Sequence, residues 1–151
     1  MHQQTTASRL RAVNQVVLAD TGPLVALFDR GDEHHDWAKR SLGKIRGPLL
    51  TSEPVVSEVL FLLGDMPRSR AAFLDFWSEG ALKVSFDAGR ERAALIALLE
   101  KYQDTGMSLA DATMVRMSEL HAGSVVWTLD EDFRVYRRMG RKVIPLLDWP
   151  R

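Results

Sequence analysis

The amino-acid sequence predicts an α/β fold, with a single domain built on a mainly parallel central sheet and helices on both faces of that sheet. Two observations lead to this fold class. Short apolar runs alternate with amphipathic segments from residue 16 onward, and those segments are long enough to form helices. Strands that are separated by helix-length connections pair in parallel, and the helices then cover the sheet. The length of 151 residues corresponds to one domain that can bury a stable core.

The strands are predicted where apolar residues follow one another without a break, a pattern that is typical of strands buried on both faces of a parallel sheet. The first run, VVLA, is followed by Asp20. A later run, VVWTL, is followed by Asp130. The predicted strands are residues 16–19, 48–51, 82–86, 124–129 and 142–146.

The helices are predicted from apolar residues at helical spacing and from residues that favour a helix start. Pro23 lies in the first turn of the first helix, where its fixed φ angle is favourable. Ser108 and Asp111 have the spacing of a capping box, in which each side chain binds the backbone of the other residue. The predicted helices are residues 21–28, 34–45, 53–63, 68–79, 87–102, 108–121 and 131–139.

The composition excludes several classes of protein. The chain has no cysteine, which excludes a disulfide scaffold, a cysteine-based zinc site and thiol catalysis, and which is compatible with a cytoplasmic location. No window approaches the ~18 continuous apolar residues of a membrane helix. Residues 1–15 have few apolar side chains and no periodicity, so we expect a loosely ordered N-terminal extension before a domain of residues 16–151.

The net charge is zero, because 20 Lys and Arg residues balance 20 Asp and Glu residues. Taken alone, this balance argues against a nucleic-acid-binding protein. A sum does not show where the charges lie, and their distribution decides which partners a surface attracts. Residues 29–36 contain four acids and one Arg, whereas residues 134–142 contain five bases and no acid. The opposite charges are therefore separated along the chain.

Two acids directly follow predicted strands. Asp20 comes after the first strand, and Asp130 comes after the fourth. Since the carboxyl ends of parallel strands lie at one edge of a sheet, where α/β proteins bind their ligands, we expect both side chains at that edge. The alternative is that each Asp caps the N-terminus of the helix that follows it, a role that Asp fills well.

Glu58 is predicted to lie on an apolar helical face. Its neighbours at i−4, i−3, i+3 and i+4 are Pro54, Val55, Phe61 and Leu62. A carboxylate buried on such a face must find a cation or hydrogen-bond donors, or be protonated. The alternatives to a functional role are a salt bridge to a distant Arg and a pKa that is raised by burial.

Asp111 is in a similar position on another predicted helix. Met114 and Val115, its neighbours at i+3 and i+4, are apolar. The alternative for this residue is purely structural, because the capping box with Ser108 explains an acid at this position.

The crossovers of the predicted fold can bring Asp20, Glu58, Asp111 and Asp130 together. Such a cluster cannot stay fully ionised on its own, because adjacent carboxylates raise one another's pKa. A divalent cation resolves this conflict, and ligation by oxygen alone favours Mg²⁺ or Mn²⁺ over zinc. Ions held in this way activate water for phosphodiester hydrolysis. No Ser-His-Asp grouping, glycine-rich phosphate loop or Cys/His metal pattern in the sequence indicates another chemistry.

Four segments resemble the motifs of PIN-domain nucleases, and they occur in the order of that family. VLADTGPLVAL, residues 17–27, is similar to the opening strand and helix of the family. VVSEV (55–59) and SLADA (108–112) resemble its second and third acidic motifs, and TLDEDF (128–133) resembles its terminal Thr-x-Asp-x-x-Phe element. The resemblance covers nearly the whole chain, and the compact length is similar to that of the VapC-like toxin ribonucleases.

The resemblance implies an endoribonuclease toxin that depends on Mg²⁺ or Mn²⁺ and cleaves RNA, often tRNA or ribosomal RNA. It also implies inhibition by a VapB-like antitoxin and assembly as a homodimer. Metal binding and catalysis are assigned by this resemblance to the four acids of the cluster. Thr21 and Thr128 match the hydroxyl residues that accompany the first and last acids, and Asp132 is an alternative or water-mediated fourth acid.

Other functions are compatible with the same acids. A catalytically silent PIN-like module binds RNA or protein without cutting it. A phosphatase or a phosphodiesterase for small molecules uses the same metal chemistry, and so does an RNA-processing nuclease outside any toxin pair.

A basic segment follows the last acid. Arg134, Arg137, Arg138 and Arg141 have the spacing i, i+3, i+4 and i+7, so a helix presents all four on one face. We predict that this face contacts RNA phosphates. The alternative is a solvated helix end, at which cations are favoured by the helix dipole.

Overall fold

The computed structural model describes residues 15–147 and 149–150, and its centre is a parallel sheet of four strands. Neighbouring strands are hydrogen-bonded in the order β3-β2-β1-β4, and Leu18 of the first strand lies between Leu50 and Val126. The strands are β1 (Val17–Ala19), β2 (Leu49–Thr51), β3 (Leu82–Val84) and β4 (Val125–Trp127). The predicted α/β fold is therefore confirmed.

Six α-helices connect these strands, and five of them match the predicted bounds within two residues at each end. The fifth helix begins at Arg92 instead of residue 87, because residues 88–91 form turns in which the Arg90 amide donates to the Asp87 carboxylate. The helices are α1 (Thr21–Phe28), α2 (His35–Gly43), α3 (Glu53–Leu62), α4 (Pro67–Ser78), α5 (Arg92–Lys101) and α6 (Leu109–Leu120).

The strand order reverses at β1. The chain passes from β1 to β2 and β3 on one side, and then returns across the sheet to β4 on the other side of β1. Crossovers between parallel strands are right-handed, so α1–α4 cover one face of the sheet and α5 and α6 cover the other. Ligands of open α/β sheets bind in the crevice at such a reversal. Asp20 and Asp130, which follow β1 and β4, border this crevice.

Buried hydroxyl groups fix the elements that border the crevice. Thr51 Oγ1 donates a hydrogen bond of 2.8 Å to the Ala19 carbonyl, which ties β2 to the last residue of β1. The hydroxyl oxygens of Ser52 and Thr113 lie 2.7 Å apart and join the start of α3 to α6. All three hydroxyl side chains are buried. These bonds hold the two helices that carry Glu58 and Asp111 in a fixed relation.

The predicted helix over residues 131–139 is wrong. Residues Glu131–Arg134 form a 3₁₀ turn, and the chain then continues as β5 (Arg137–Arg138), which pairs antiparallel with β6 (Lys142–Val143). The turn between them has positive φ at Met139 (53°) and Gly140 (82°). Two consecutive positive φ angles are typical of tight hairpin turns and are incompatible with a helix. We call residues 137–143 the C-terminal hairpin.

The predicted last strand over residues 142–146 is divided between two places. Its first two residues form β6 of the C-terminal hairpin, whereas Leu146 makes a parallel bridge with Val126 at the open edge of β4. The Val126 amide donates to the Pro145 carbonyl at 2.9 Å, and the Leu147 amide donates to the Val126 carbonyl at 2.9 Å. The end of the chain thus continues the main sheet by a single bridge.

The predicted N-terminal extension lies outside the described residues except for Gln15, whose side-chain amide donates to the Gly123 carbonyl at 3.3 Å. Within the described part of the chain, no helix has the length and apolar character needed to span a membrane.

Candidate active site

The four predicted acids line one open cavity of about 420 Å³. It lies at the carboxyl edge of the sheet, at the crevice between β1 and β4, and we call it the acidic cavity. Each acid reaches the cavity from a different part of the chain, which explains why only the folded chain brings them together. The lining residues are Asp20, Thr21, Gly22, Glu58, Asp111, Leu129, Asp130 and Glu131.

Asp20 is the most deeply placed of these acids, with 5% of the residue exposed. Its side chain makes no capping hydrogen bond to α1, so the alternative role of a helix cap does not apply. Oδ2 of Asp20 accepts a hydrogen bond of 2.7 Å from Thr128 Oγ1. Burial raises the pKa of Asp20 to about 7, and the charges of Asp111 and Asp130 add to this rise.

Glu58 is half-buried on α3, and its Oε2 accepts a hydrogen bond of 2.7 Å from Thr21 Oγ1. No Lys or Arg of the described residues forms a salt bridge with it. The expected burial of its helical face is correct on one side and wrong on the other: Val55 is fully buried and Pro54 half-buried, whereas Phe61 is 83% exposed and Leu62 is 52% exposed. Glu58 is therefore held by a hydroxyl group at the edge of an exposed apolar surface.

Asp111 combines the two roles that the sequence left open. The Asp111 amide donates to Ser108 Oγ at 3.0 Å, and the Ser108 amide donates to Asp111 Oδ2 at 3.4 Å, which completes the predicted capping box. The same Oδ2 accepts a hydrogen bond of 2.9 Å from the Tyr136 hydroxyl, and the residue lines the acidic cavity. Burial raises the pKa of Asp111, and its two hydroxyl and amide partners oppose that rise.

Asp130 also combines a capping role with a position in the acidic cavity. Its Oδ1 accepts a hydrogen bond of 2.9 Å from the Asp132 amide and so caps the 3₁₀ turn, while its own amide donates to Thr128 Oγ1 at 3.0 Å. Asp130 lines the acidic cavity and Asp132 does not, which favours Asp130 as the fourth acid.

Two residues of the site were missed by the sequence analysis. Glu131 lines the acidic cavity, and its position between Asp130 and Asp132 in the TLDEDF segment was the available signal. Tyr136 is fully buried against the site, where burial raises the pKa of its hydroxyl and keeps it a donor to Asp111. No local pattern in the sequence indicates this contact, since the two residues are 25 positions apart.

Comparison with known proteins decides the family. The profile of the PIN domain matches residues 17–139, a range that includes all four acids and β5. The chain belongs to the PIN domain family. Ribonuclease VapC26 of Mycobacterium tuberculosis (strain ATCC 25618 / H37Rv) is 26% identical over 127 residues, which are 82% of this chain and 94% of that protein.

A solved structure shows the same fold. VapC20 of Mycobacterium tuberculosis, described as a sarcin–ricin loop cleaving toxin, matches with a TM-score of 0.67 and 23% sequence identity. The match covers 85% of this chain and 99% of that one. The similarity to VapC26 confirms the resemblance to VapC-like PIN domains, and VapC20 shares the fold.

The arginines that follow the acids of this PIN domain do not share one helical face. The Arg137 guanidinium turns back and donates through Nη1 to the carbonyls of Arg134, Val135 and Tyr136, at 2.6 to 3.1 Å. Arg138 follows it on β5, where successive side chains leave opposite sides of the strand. The predicted common face is wrong because the segment is a hairpin.

Arg134 lies at the end of the 3₁₀ turn and is exposed, with its guanidinium 4.5 Å from the centre of the Trp149 ring. Arg141 is exposed on the C-terminal hairpin. Three of the four predicted arginines therefore keep a guanidinium that no hydrogen bond holds within the described residues: Arg134, Arg138 and Arg141.

The donor atoms of the acidic cavity of this PIN domain suit a hard cation that keeps part of its water shell. Within residues 15–147 and 149–150, no three Asp, Glu, His or Cys side chains stand as ready ligands of one ion. Mg²⁺ is usually held by only one or two carboxylates, together with waters and substrate phosphates. Burial raises the pKa of Asp20, and the charges of Asp111 and Asp130 add to that rise, so a bound cation would favour the ionised carboxylate.

Proposed function

We propose that this PIN-domain protein is a metal-dependent endoribonuclease and the toxin of a toxin–antitoxin pair. The observation that carries this proposal is the acidic cavity itself, in which four carboxylates from separate parts of the chain meet at the reversal of strand order. The names of the relatives support it, since one is a ribonuclease and the other a toxin that cleaves the sarcin–ricin loop. We infer RNA as the substrate, in particular tRNA or ribosomal RNA.

Asp20, Glu58, Asp111 and Asp130 would hold Mg²⁺ or Mn²⁺, either directly or through the waters that the cation keeps. Asp132, which does not line the acidic cavity, would act only through water. When bound, the cation supplies the Lewis acid and lowers the pKa of the attacking water. The remaining work is done by protein groups that orient the acids. Each of the four carboxylates accepts a hydrogen bond from a hydroxyl or amide group, and the donors include the hydroxyls of Thr21, Thr128 and Tyr136.

The substrate backbone would be bound by three arginines that follow the acids, of which Arg134 and Arg141 are exposed and Arg138 is half-buried. Arg134 is only four residues from Asp130 in the chain, and its guanidinium is exposed beside Trp149. Arg138 and Arg141 extend the basic surface along the C-terminal hairpin. Arg137 is not part of this surface in our proposal, because its guanidinium already binds three carbonyls. Phosphate contacts of this kind hold the RNA irrespective of its sequence.

A protein partner would bind next to the acidic cavity. Phe61 and Leu62 are large, apolar and exposed, and they border Glu58 directly. Exposed apolar patches of this kind mark protein–protein contacts more often than contacts with phosphates. We propose that a VapB-like antitoxin inhibits the enzyme in the cytoplasm, and that the protein assembles as a homodimer.

Cleavage of RNA by the purified protein tests this function. We expect cleavage with Mg²⁺ or Mn²⁺, none in EDTA, and a loss of at least about 100-fold in Asp20→Asn and Asp111→Asn. Asp75→Asn is the matched control, because Asp75 is an exposed acid on α4 outside the acidic cavity. Sequencing of the RNA ends identifies the target.

Three outcomes would contradict the proposal in different ways. Cation binding without any cleavage indicates a silent binding module, and hydrolysis of a chromogenic phosphodiester but not of RNA indicates a small-molecule enzyme. RNA cleavage with no growth arrest on expression, and no antitoxin-sized reading frame beside the gene, indicates an RNA-processing nuclease.

A further inference from the structure

Tyr136 connects the C-terminal segment to the acidic cavity. Its hydroxyl donates a hydrogen bond of 2.9 Å to Oδ2 of Asp111. Its ring is fully buried and packs edge-on against Phe133 and Tyr102, with centroid distances of 5.2 and 5.0 Å. Its backbone amide donates to the Asp132 carbonyl at 2.9 Å. Both the ring and the backbone are therefore fixed, and so is the position of the hydroxyl.

The two donors to the Asp111 side chain bind the same oxygen. The Ser108 amide reaches Oδ2 at 3.4 Å, which is long for an N–H···O hydrogen bond, so the Tyr136 hydroxyl makes the closer contact. No donor within the described residues binds Oδ1 of Asp111. Hydrogen bonds to one oxygen restrict the rotation of a carboxylate and leave its other oxygen free for a ligand.

We propose that Tyr136 is a positioning residue, which holds the Asp111 carboxylate so that its free oxygen, Oδ1, binds the divalent cation. This inference rests on the proposed function, because it requires a cation at the acidic cavity. Tyr136 acts through Asp111. Partners that orient metal-binding carboxylates in this way commonly change metal affinity about 10- to 100-fold when they are removed.

Tyr102 provides a matched control for this role. It packs against the ring of Tyr136, and its hydroxyl oxygen accepts a hydrogen bond of 3.0 Å from the Arg137 amide. It does not line the acidic cavity and makes no hydrogen bond to an acid in the described part of the chain. Tyr102→Phe and Tyr136→Phe each delete one hydroxyl from the same aromatic cluster, but only Tyr136→Phe changes the surroundings of Asp111.

The experiment is a calorimetric titration of metal-free protein with Mn²⁺, combined with thermal melting in EDTA to show that each variant is folded. We expect the Kd for Mn²⁺ to be about tenfold higher in Tyr136→Phe and unchanged in Tyr102→Phe. In RNA cleavage, the Mn²⁺ concentration for half-maximal rate should rise in Tyr136→Phe, and excess Mn²⁺ should restore most of the rate.

A second measurement needs no variant to fold. The chain has two tyrosines, so fluorotyrosine in place of tyrosine gives two ¹⁹F resonances. Titration with Mg²⁺ should shift the Tyr136 resonance along the binding curve and shift the Tyr102 resonance much less.

The outcomes separate this inference from the proposed function. If the wild type binds Mn²⁺ and Tyr136→Phe binds it equally well, Tyr136 has no positioning role, although the proposed function stands. Equal weakening in Tyr136→Phe and Tyr102→Phe also overturns the role, because it shows a loosened aromatic cluster. If the wild type neither binds Mn²⁺ nor cleaves RNA, the proposed function fails and the positioning role fails with it.

Discussion

The acidic cavity and the C-terminal hairpin carry opposite charges, and they differ in how far those charges are exposed to water. Asp20 is almost completely buried, and other acids surround the same cavity, so burial raises its pKa to about 7. Arg141 lies on the surface of the C-terminal hairpin, where water solvates it. The two regions contribute to the same net charge of zero, yet burial makes the charged form of a side chain unfavourable at Asp20 and not at Arg141.

This difference shows which region carries more information about function. Asp20 is buried and three half-buried acids line the same cavity, an arrangement that destabilises the fold and therefore favours a functional role. Exposed arginines cost little and occur on many surfaces without a specific partner. The zero net charge therefore does not exclude a nucleic-acid substrate. It is the sum of acids that gather at a partly buried cavity and of arginines that lie on a solvated surface.

Asp20→Asn is expected to have the largest effect, and activity and stability change in opposite directions. RNA cleavage is lost, because the amide cannot replace the carboxylate at the proposed cation site. Stability in EDTA at about pH 8 rises, because the buried charge is removed while Asn can still accept the hydrogen bond from Thr128. Urea unfolding of metal-free protein measures the second effect.

The pH dependence of this effect follows from the raised pKa of Asp20. Between its ordinary value of 3.8 and about 7, the folded protein holds a proton that the unfolded chain has lost. The contribution of Asp20 to wild-type stability therefore falls as the pH rises through this range, by up to roughly 4 kcal/mol. Asp20→Asn lacks this contribution, whereas Asp75→Asn should keep the wild-type slope. Equal slopes in wild type and Asp20→Asn would contradict the raised pKa that burial gives Asp20.

Thr128→Val is expected to have an intermediate effect. Thr128 is fully buried, and its hydroxyl binds both Asp20 Oδ2 and the Asp130 amide, so it links two acids. Valine keeps the shape but leaves both groups without this partner, which costs about 1–3 kcal/mol of unfolding free energy. Cleavage should fall about 10- to 100-fold.

Thr128→Ser is the control, because it keeps the hydroxyl and should retain most of the activity. Denaturant unfolding and cleavage rates at saturating Mn²⁺ measure the two effects. Full activity in Thr128→Val would show that the orientation of Asp20 and Asp130 does not depend on this residue.

The positions of the acids were predictable from the sequence to different degrees. Asp20 and Asp130 were located correctly because both follow apolar runs, and parallel strands end at one edge of the sheet. Glu58 was placed in the cavity for a reason that is only partly correct. Its helical neighbours Phe61 and Leu62 are exposed, and the residue reaches the site through a contact with Thr21 on another helix. That contact depends on how the helices pack, which a helical pattern alone does not reveal.

The C-terminal segment was predicted wrongly because a local pattern competed with tertiary contacts. The spacing of its arginines is that of a helix, but the fold buries Phe133 and Tyr136 and brings Tyr136 to Asp111. A hairpin turn with positive φ at Met139 and Gly140 then reverses the chain. The hydrogen bond of 2.6 Å from the Met139 amide to Glu119 stabilises this turn from a residue 20 positions away. Such long-range contacts outweigh helical periodicity.

Substitutions of single arginines are expected to have the smallest effects. They should distinguish an arginine that contacts RNA from one that stabilises the fold. Arg138→Ala should weaken RNA binding only a few-fold, and should reduce the slope of log affinity against log salt by about 0.7 if it removes one phosphate contact. Arg137→Ala should leave this slope unchanged and lower the unfolding free energy by about 1 kcal/mol, because three carbonyls lose their donor. Binding is measured with purified tRNA in an Asp20→Asn background, which prevents cleavage. If Arg137→Ala changes the slope and Arg138→Ala does not, the prediction is wrong, because Arg137 and not Arg138 then contacts the RNA.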